Sequence, residues 1–222
     1  MISSPMPTDT AWPSLCRIDG GDSAEAVLLL AHGAGAGMDH QFMADIAQQL
    51  SCSKLAVVRF EFDYMVTARA NDKRRPPDRL PKLQACYDLW VAAAQQHFPQ
   101  LPLFIGGKSM GGRVACVCAD KAKVSAAFAL GYPFHPVGKN EPEKWRWQPL
   151  QHATAPLHII QGSRDTFGNR VELEQHILPN QVTMTWLEDG DHSFKPRKVS
   201  GFTQHQHIQQ AAQLIRAAIF RG

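Results

Sequence analysis

The chain has 222 residues, 44% hydrophobic, 19% charged and 9% aromatic, and its 23 basic and 20 acidic side chains leave a formal charge of +3. That length suits one domain, expected over residues 1–222, and buries roughly 70% of the unfolded surface without a staple. The mild charge gives no ground for a nucleic-acid or anionic-membrane partner, and the composition excludes a disordered, collagen-like or coiled-coil chain.

The first ten residues, Met1 to Thr10, lack a basic segment followed by an apolar run, so no secretory leader is expected. The first apolar run, Ala26–Ala31, is far too short to cross a bilayer. Five cysteines (Cys16, Cys52, Cys86, Cys116 and Cys118) form no C-x-x-C pair, which suits reduced thiols in a cytoplasmic protein.

Short, near-continuous apolar runs recur along the chain at Ala26–Ala31, Leu55–Phe60, Leu101–Ile105, Ser125–Leu130, Leu157–Ile160 and Val182–Leu187. Such runs suit strands of a parallel sheet covered on both faces. Helical spacing separates them. Phe42, Ile46, Ala47 and Leu50 share one face, as do Leu80, Leu83, Tyr87, Val91 and Ala94 behind Pro81, and finally Ile208, Ala211, Ala212, Ile215, Ala218 and Ile219. The alternation predicts an α/β fold with a mostly parallel sheet and helices on both faces. In such sheets the ligand site lies outside the carboxyl ends of the strands, so the residues just after each run are the informative ones.

After Leu101–Ile105 comes Gly107-Lys-Ser-Met-Gly111, a G-x-S-x-G between a strand and a helix. A sharp turn there projects Ser109 above the sheet and aims the Met110 N–H at the same space. A P-loop would need glycine at 102, which is Pro102. Asp165 follows the run Leu157–Ile160 and His192 follows Val182–Leu187, in the chain order Ser, Asp, His. His192 is then the base for Ser109, and Asp165 holds its imidazole. Asp189 and Asp191 share the loop of His192 and read as turn residues around Gly190. His205 and His207, two apart on a helix, face differently, and no H-E-x-x-H or Cys/His cluster suggests a metal. No cofactor is expected.

The run Ala26–Ala31 leads into His32-Gly-Ala-Gly-Ala-Gly37. A dinucleotide fingerprint would need glycine at 38, which is Met38. The His-Gly start resembles the oxyanion loop of α/β-hydrolases, which implies the Ala34 N–H as a second donor beside that of Met110, with Gly35 as the neighbouring alternative.

Together these loops resemble the α/β-hydrolase superfamily over about the whole chain. The stretches Phe60-Glu-Phe-Asp-Tyr64, Gly107-Lys-Ser-Met-Gly-Gly-Arg113 and Gly131-Tyr-Pro-Phe-His-Pro-Val-Gly-Lys139 are similar, more narrowly, to a small lid-less family. It groups bacterial proteins with a testis-expressed protein and a subunit of a histone acetyltransferase complex. The resemblance implies a serine hydrolase architecture acting on a small or medium ester or thioester. A small peptidase and an idle interaction module are the alternatives. Residues 131–156, rich in proline, are too few for a lid domain. Tyr64, Arg74, Arg75 and His135 are the candidate substrate-binding residues, and Phe134, Trp145 and Trp147 either wall an acyl pocket or cover the core. The stretch Met65–Arg79, with five basic residues, reads either as a patch attracting anionic substrates or as a solvated loop, the second being the simpler.

Overall fold

The computed structural model describes residues 12–139 and 141–220. The segment Met1–Thr10, read above for a leader, lies outside them. Seven strands form one sheet: β1 Cys16–Asp19, β2 Ala26–Ala31, β3 Leu55–Phe60, β4 Leu103–Lys108, β5 Ala127–Leu130, β6 Leu157–Gly162 and β7 Val182–Leu187. Their order is β1-β3-β2-β4-β5-β6-β7, and only the β1–β3 pair is antiparallel. This is the α/β-hydrolase type of sheet, and the six apolar runs supply its parallel strands.

Alternate residues of the parallel strands feed two cores. Val27, Leu29, Val58, Phe60 and Ile105 pack with α3 (Leu80–His97) and α4 (Met110–Cys118). Leu28, Leu30, Val57 and Phe104 face α1 (Gln41–Leu50) and α7 (Gln204–Ile219). The expected apolar faces of α1, α3 and α7 are the buried ones, although Leu80, Ala218 and Ile219 at the helix ends are only half-buried. His207 is buried and His205 exposed, as their offset requires.

Three features differ from the sequence reading. The edge strand β1 is absent from it, because Cys16-Arg-Ile-Asp19 is short and has no buried residue. Arg59, buried in β3, holds β1 by donating to both Asp19 oxygens at 2.7 and 3.0 Å, and donates to the Met38 carbonyl at 2.8 Å. Strand β4 runs on to Lys108, so Gly106 and Gly107 belong to the ladder. Residues Asp63–Ala70 form a helix, α2, rather than part of the loop assigned to Met65–Arg79. Only Tyr64 in it is buried, which leaves no apolar stripe to read.

Strand order reverses between β2 and β4, which opens a crevice between the loops that follow them. The described residues of 131–156, between β5 and β6, build a short 3₁₀ turn (Pro142–Lys144) and α5 (Gln148–Gln151) and no further layer. Tyr132 and Phe134 of that segment are fully buried, and the Tyr132 hydroxyl donates to the Arg146 carbonyl at 2.8 Å. The segment therefore lies on the body of the fold and does not cap the crevice. Phe134 belongs to the core, and Trp145 and Trp147 stack on each other at 5.0 Å against it.

Candidate active site

Ser109 stands between β4 and α4 with φ +52° and ψ −114°, a conformation strained for any residue with a side chain. Neighbouring chains leave no room on either side of the turn. A Cβ on Gly107 would lie 2.6 Å from the Ala31 carbonyl oxygen, and one on Gly111 would lie 2.5 Å from that of His32. These glycines let the turn sit hard against β2. The Met110 N–H opens α4 at the positive end of the helix.

His192 and Asp165 come from the loops after β7 and β6. His192 Nε2 lies 2.8 Å from Ser109 Oγ, and Nδ1 lies 2.8 Å from Asp165 Oδ2. A carboxylate accepts, so Nδ1 carries the proton and Nε2 is left to accept the one on Ser109. Asp165 is fully buried, and it also accepts from the Phe167 N–H at 2.8 Å and from Gln161 Nε2 at 3.0 Å. The two neighbouring acids are committed elsewhere. Asp189 pairs with Arg197 and Arg164, each at 2.8 Å, and hydrogen bonding to Arg197 lowers its pKa to about 2. Asp191 Oδ1 accepts the N–H groups of Ser193 and Lys195 at 2.7 and 2.9 Å.

The loop after β2 is braced from beneath. His32 is fully buried; its Nε2 accepts the Phe62 N–H at 3.2 Å, so its Nδ1–H donates to the Gly33 carbonyl at 2.7 Å. Burial pushes its pKa down, which keeps the ring neutral. The Tyr64 hydroxyl donates to the carbonyls of Ala34 and Gly33 at 3.1 and 3.3 Å. Tyr64 is thus buried behind the loop, and its assignment as a substrate-binding residue is corrected: the helix α2 turns it inward. His135 is likewise corrected. It is buried, with Nδ1 2.9 Å from the Pro136 carbonyl and Nε2 3.4 Å from Glu172, away from Ser109. Tyr64→Phe removes the donor to the Ala34 carbonyl and the weaker of two to that of Gly33, so we expect kcat to fall about tenfold with binding little changed. Steady-state kinetics with one ester would check it.

Two cavities flank Ser109. One, of about 410 Å³, is lined by Ala34, Phe42, Met43, Lys108, Phe167 and His192 among others. The second, of about 300 Å³, shares Ala34, Ser109 and Phe167 with it and continues over Met110, Arg113 and Arg146. Arg74 and Arg75 are exposed and line a separate cleft of about 670 Å³ with Arg69 and Lys73, on the far side of Ala34 and Gly35. Arg69 is not a free cation there, since it bridges the buried Glu61 at 2.5 Å and Asp39 at 3.1 Å.

Three functional side chains escaped the sequence reading. Phe167 lies with its ring centroid 4.3 Å from that of His192 and borders both cavities. Gln161, four residues before Asp165, is fully buried and also donates to the carbonyls of Tyr132 and Gly168, each at 3.1 Å. Lys108, inside the G-x-S-x-G itself, points down between the rings of Phe42 and Phe194, 5.5 and 5.9 Å from Nζ. Its Nζ is buried without a hydrogen-bond partner among the described residues, and burial lowers its pKa to about 8. The folded state therefore binds fewer protons than the unfolded chain between pH 8 and 10.5, and stability gains with pH across that window. Lys108→Met should remove that gain and raise the melting temperature at pH 7, as denaturation followed at several pH values would show. Cys116 and Cys118 are buried in α4 as small apolar residues, with thiols pushed up to about 12.

A family model described as an alpha/beta hydrolase domain matches residues 24–220. The chain belongs to the α/β-hydrolase family. Among solved structures, a lid-less α/β serine hydrolase from Xanthomonas campestris is 17% identical, with 98% of this chain and 97% of that one covered at a TM-score of 0.68. An α/β serine hydrolase homologue from Coxiella burnetii is 16% identical over 90% of this chain and 88% of its own, also at 0.68. A dienelactone hydrolase from Anabaena variabilis is 19% identical over 93% and 94%, at 0.66. These hydrolases share the fold. No curated protein matches the sequence significantly.

Proposed function

We propose that this α/β-hydrolase is a serine hydrolase that cleaves a small or medium ester or thioester through an acyl-enzyme on Ser109. The observation that carries it is the unbroken line Ser109–His192–Asp165, with both hydrogen bonds at 2.8 Å, at a strained turn beside two cavities. In the first step Ser109 Oγ attacks the carbonyl carbon and His192 Nε2 takes its proton. The oxyanion is held by the N–H groups of Met110 and Ala34, and His192 then returns the proton to the leaving oxygen or sulfur. Water repeats the sequence and frees the acid. No cofactor enters. Asp165 keeps the imidazole oriented and offsets the positive charge it acquires.

The reading treats the chain as one domain acting on a small-molecule acyl substrate. Five free cysteines support a reducing, cytoplasmic setting. The narrower kinship with the lid-less family that includes a testis-expressed protein rests on the Gly131–Lys139 stretch.

The test is the acyl-enzyme itself. On mixing with p-nitrophenyl acetate, the protein should release a burst of nitrophenol and gain one acetyl group, mapped by mass spectrometry to Ser109. A panel of esters, thioesters and peptide anilides then ranks the leaving groups. An interaction module would show neither burst nor adduct.

Arg74 and Arg75 enter this reading as steering groups. Exposed pairs contribute ~0–1 kcal/mol each, so Arg74→Ala/Arg75→Ala should raise KM for a carboxylated ester by about tenfold at most. The effect should vanish in high salt, because exposed charges are screened within ~8 Å at physiological ionic strength. A salt series on the two proteins checks this.

A further inference from the structure

Two arginines without a carboxylate partner line the second cavity beside Ser109. Arg113 stands on α4 four residues past Ser109, and its backbone N–H donates to the Ser109 carbonyl at 3.0 Å. Arg146 reaches the same cavity from the segment between β5 and β6. The fold fixes that segment firmly: Arg146 Nη1 donates to the Pro133 carbonyl at 2.8 Å, and its N–H to the Phe134 carbonyl at 2.7 Å. Arg113 Nε is buried and has no hydrogen-bond partner among the described residues. No carboxylate of the described residues lies within 4.0 Å of either guanidinium. The acid on the same wall, Asp78, is paired with Lys82 at 3.0 Å.

Two like charges lining one partly desolvated cavity repel each other. Burial first, and the Arg113 charge second, hold Arg146 below the usual arginine range. An anion placed in this cavity offsets the two positive charges and accepts from planar forks suited to carboxylate and phosphate oxygens. The other cavity, bordered by Phe42, Met43 and Phe167, offers an apolar contrast across Ser109.

We infer that the cavity holding Arg113 and Arg146 is a subsite for an anionic oxygen group, a carboxylate or phosphate, carried by the half of the substrate that lies over α4. The inference rests on the hydrolase reading for the placement of the scissile carbonyl at Ser109, but the subsite can be measured without turnover. Glutarate and inorganic phosphate are the probes, titrated calorimetrically into the wild-type protein, Arg113→Gln, Arg146→Gln and the two lysine variants. Wild type should bind at least one of them, each glutamine variant at least tenfold more weakly, and the lysine variants in between. Failure of both probes to bind wild type, or equal binding by all variants, overturns the subsite.

Turnover supplies a second reading with matched pairs: p-nitrophenyl hexanoate against the monoester of adipate, and phenyl acetate against 4-acetoxybenzoate. The charged member of one pair should gain tenfold or more in kcat/KM, in high salt as well as low, and should lose that gain in Arg146→Gln. No gain in either pair also counts against the subsite. Fluorophosphonate labelling of wild-type Ser109 separates the two failures. A labelled serine without anion preference overturns the subsite alone, and anion binding without labelling overturns the hydrolase reading alone.

Discussion

Ser109→Ala is expected to abolish fluorophosphonate labelling and to lower ester turnover by about 10⁴-fold or more, with the melting temperature nearly unchanged. The size follows from what remains. Without Oγ, His192 and the proposed oxyanion donors, the N–H groups of Met110 and Ala34, are kept, so water attack would still be polarised but no covalent intermediate could form. The small stability effect follows from the local structure. The side chain of Ser109 caps no backbone group, and its strained φ of +52° is imposed by the close contacts of Gly107 and Gly111, which the variant keeps. Labelling that persists in the variant, or never appears in wild type, sinks the enzyme reading.

Asp165→Asn is expected to reduce kcat by on the order of 10⁴ while KM changes little. Asp165 accepts from three donors: the Phe167 N–H, Gln161 Nε2 and His192 Nδ1. An asparagine offers one acceptor oxygen in place of two. If that oxygen stays on the Phe167 N–H, the amide NH₂ faces Nδ1, the ring proton moves to Nε2, and His192 can no longer accept from Ser109. Asp191→Asn serves as the control. Its carboxylate closes a turn onto Ser193 and Lys195, so activity should stay within a few-fold of wild type. Equal damage from both substitutions would overturn the assignment of Asp165.

The sequence revealed what strand ends dictate. Ser109, Asp165 and His192 each follow an apolar run, and a parallel sheet delivers such residues to one rim whatever the details of packing. Side-chain direction was harder to read. Tyr64 and His135 lie on that rim too, yet a helix in one case and a segment folded onto the body in the other turn them inward. Gln161 and Phe167 carry no chemical signature of their own; their importance comes from contacts with Asp165 and His192 that only three dimensions supply. The same holds for Arg113 and Arg146, 33 positions apart in sequence and joined only by the cavity they share. Strand β1 was hidden for a different reason: its polar side chains suit an edge, where the strand needs no apolar run.

The segment of residues 131–156 lies flat on the fold, with Tyr132, Phe134 and Leu150 buried, and so bears on how an acyl-enzyme would end its life. A hydrolase with a hinged cap can hold bulk solvent off the intermediate and let an alcohol or amine compete for it. Here no such cap stands over Ser109 among the described residues, and on the proposed mechanism bulk water would reach the acyl carbon as soon as the leaving group departs. Added methanol or hydroxylamine should therefore divert only a small fraction of the product. Turnover should also begin without a lag and show no surge at an oil–water interface, since there is no cap to open.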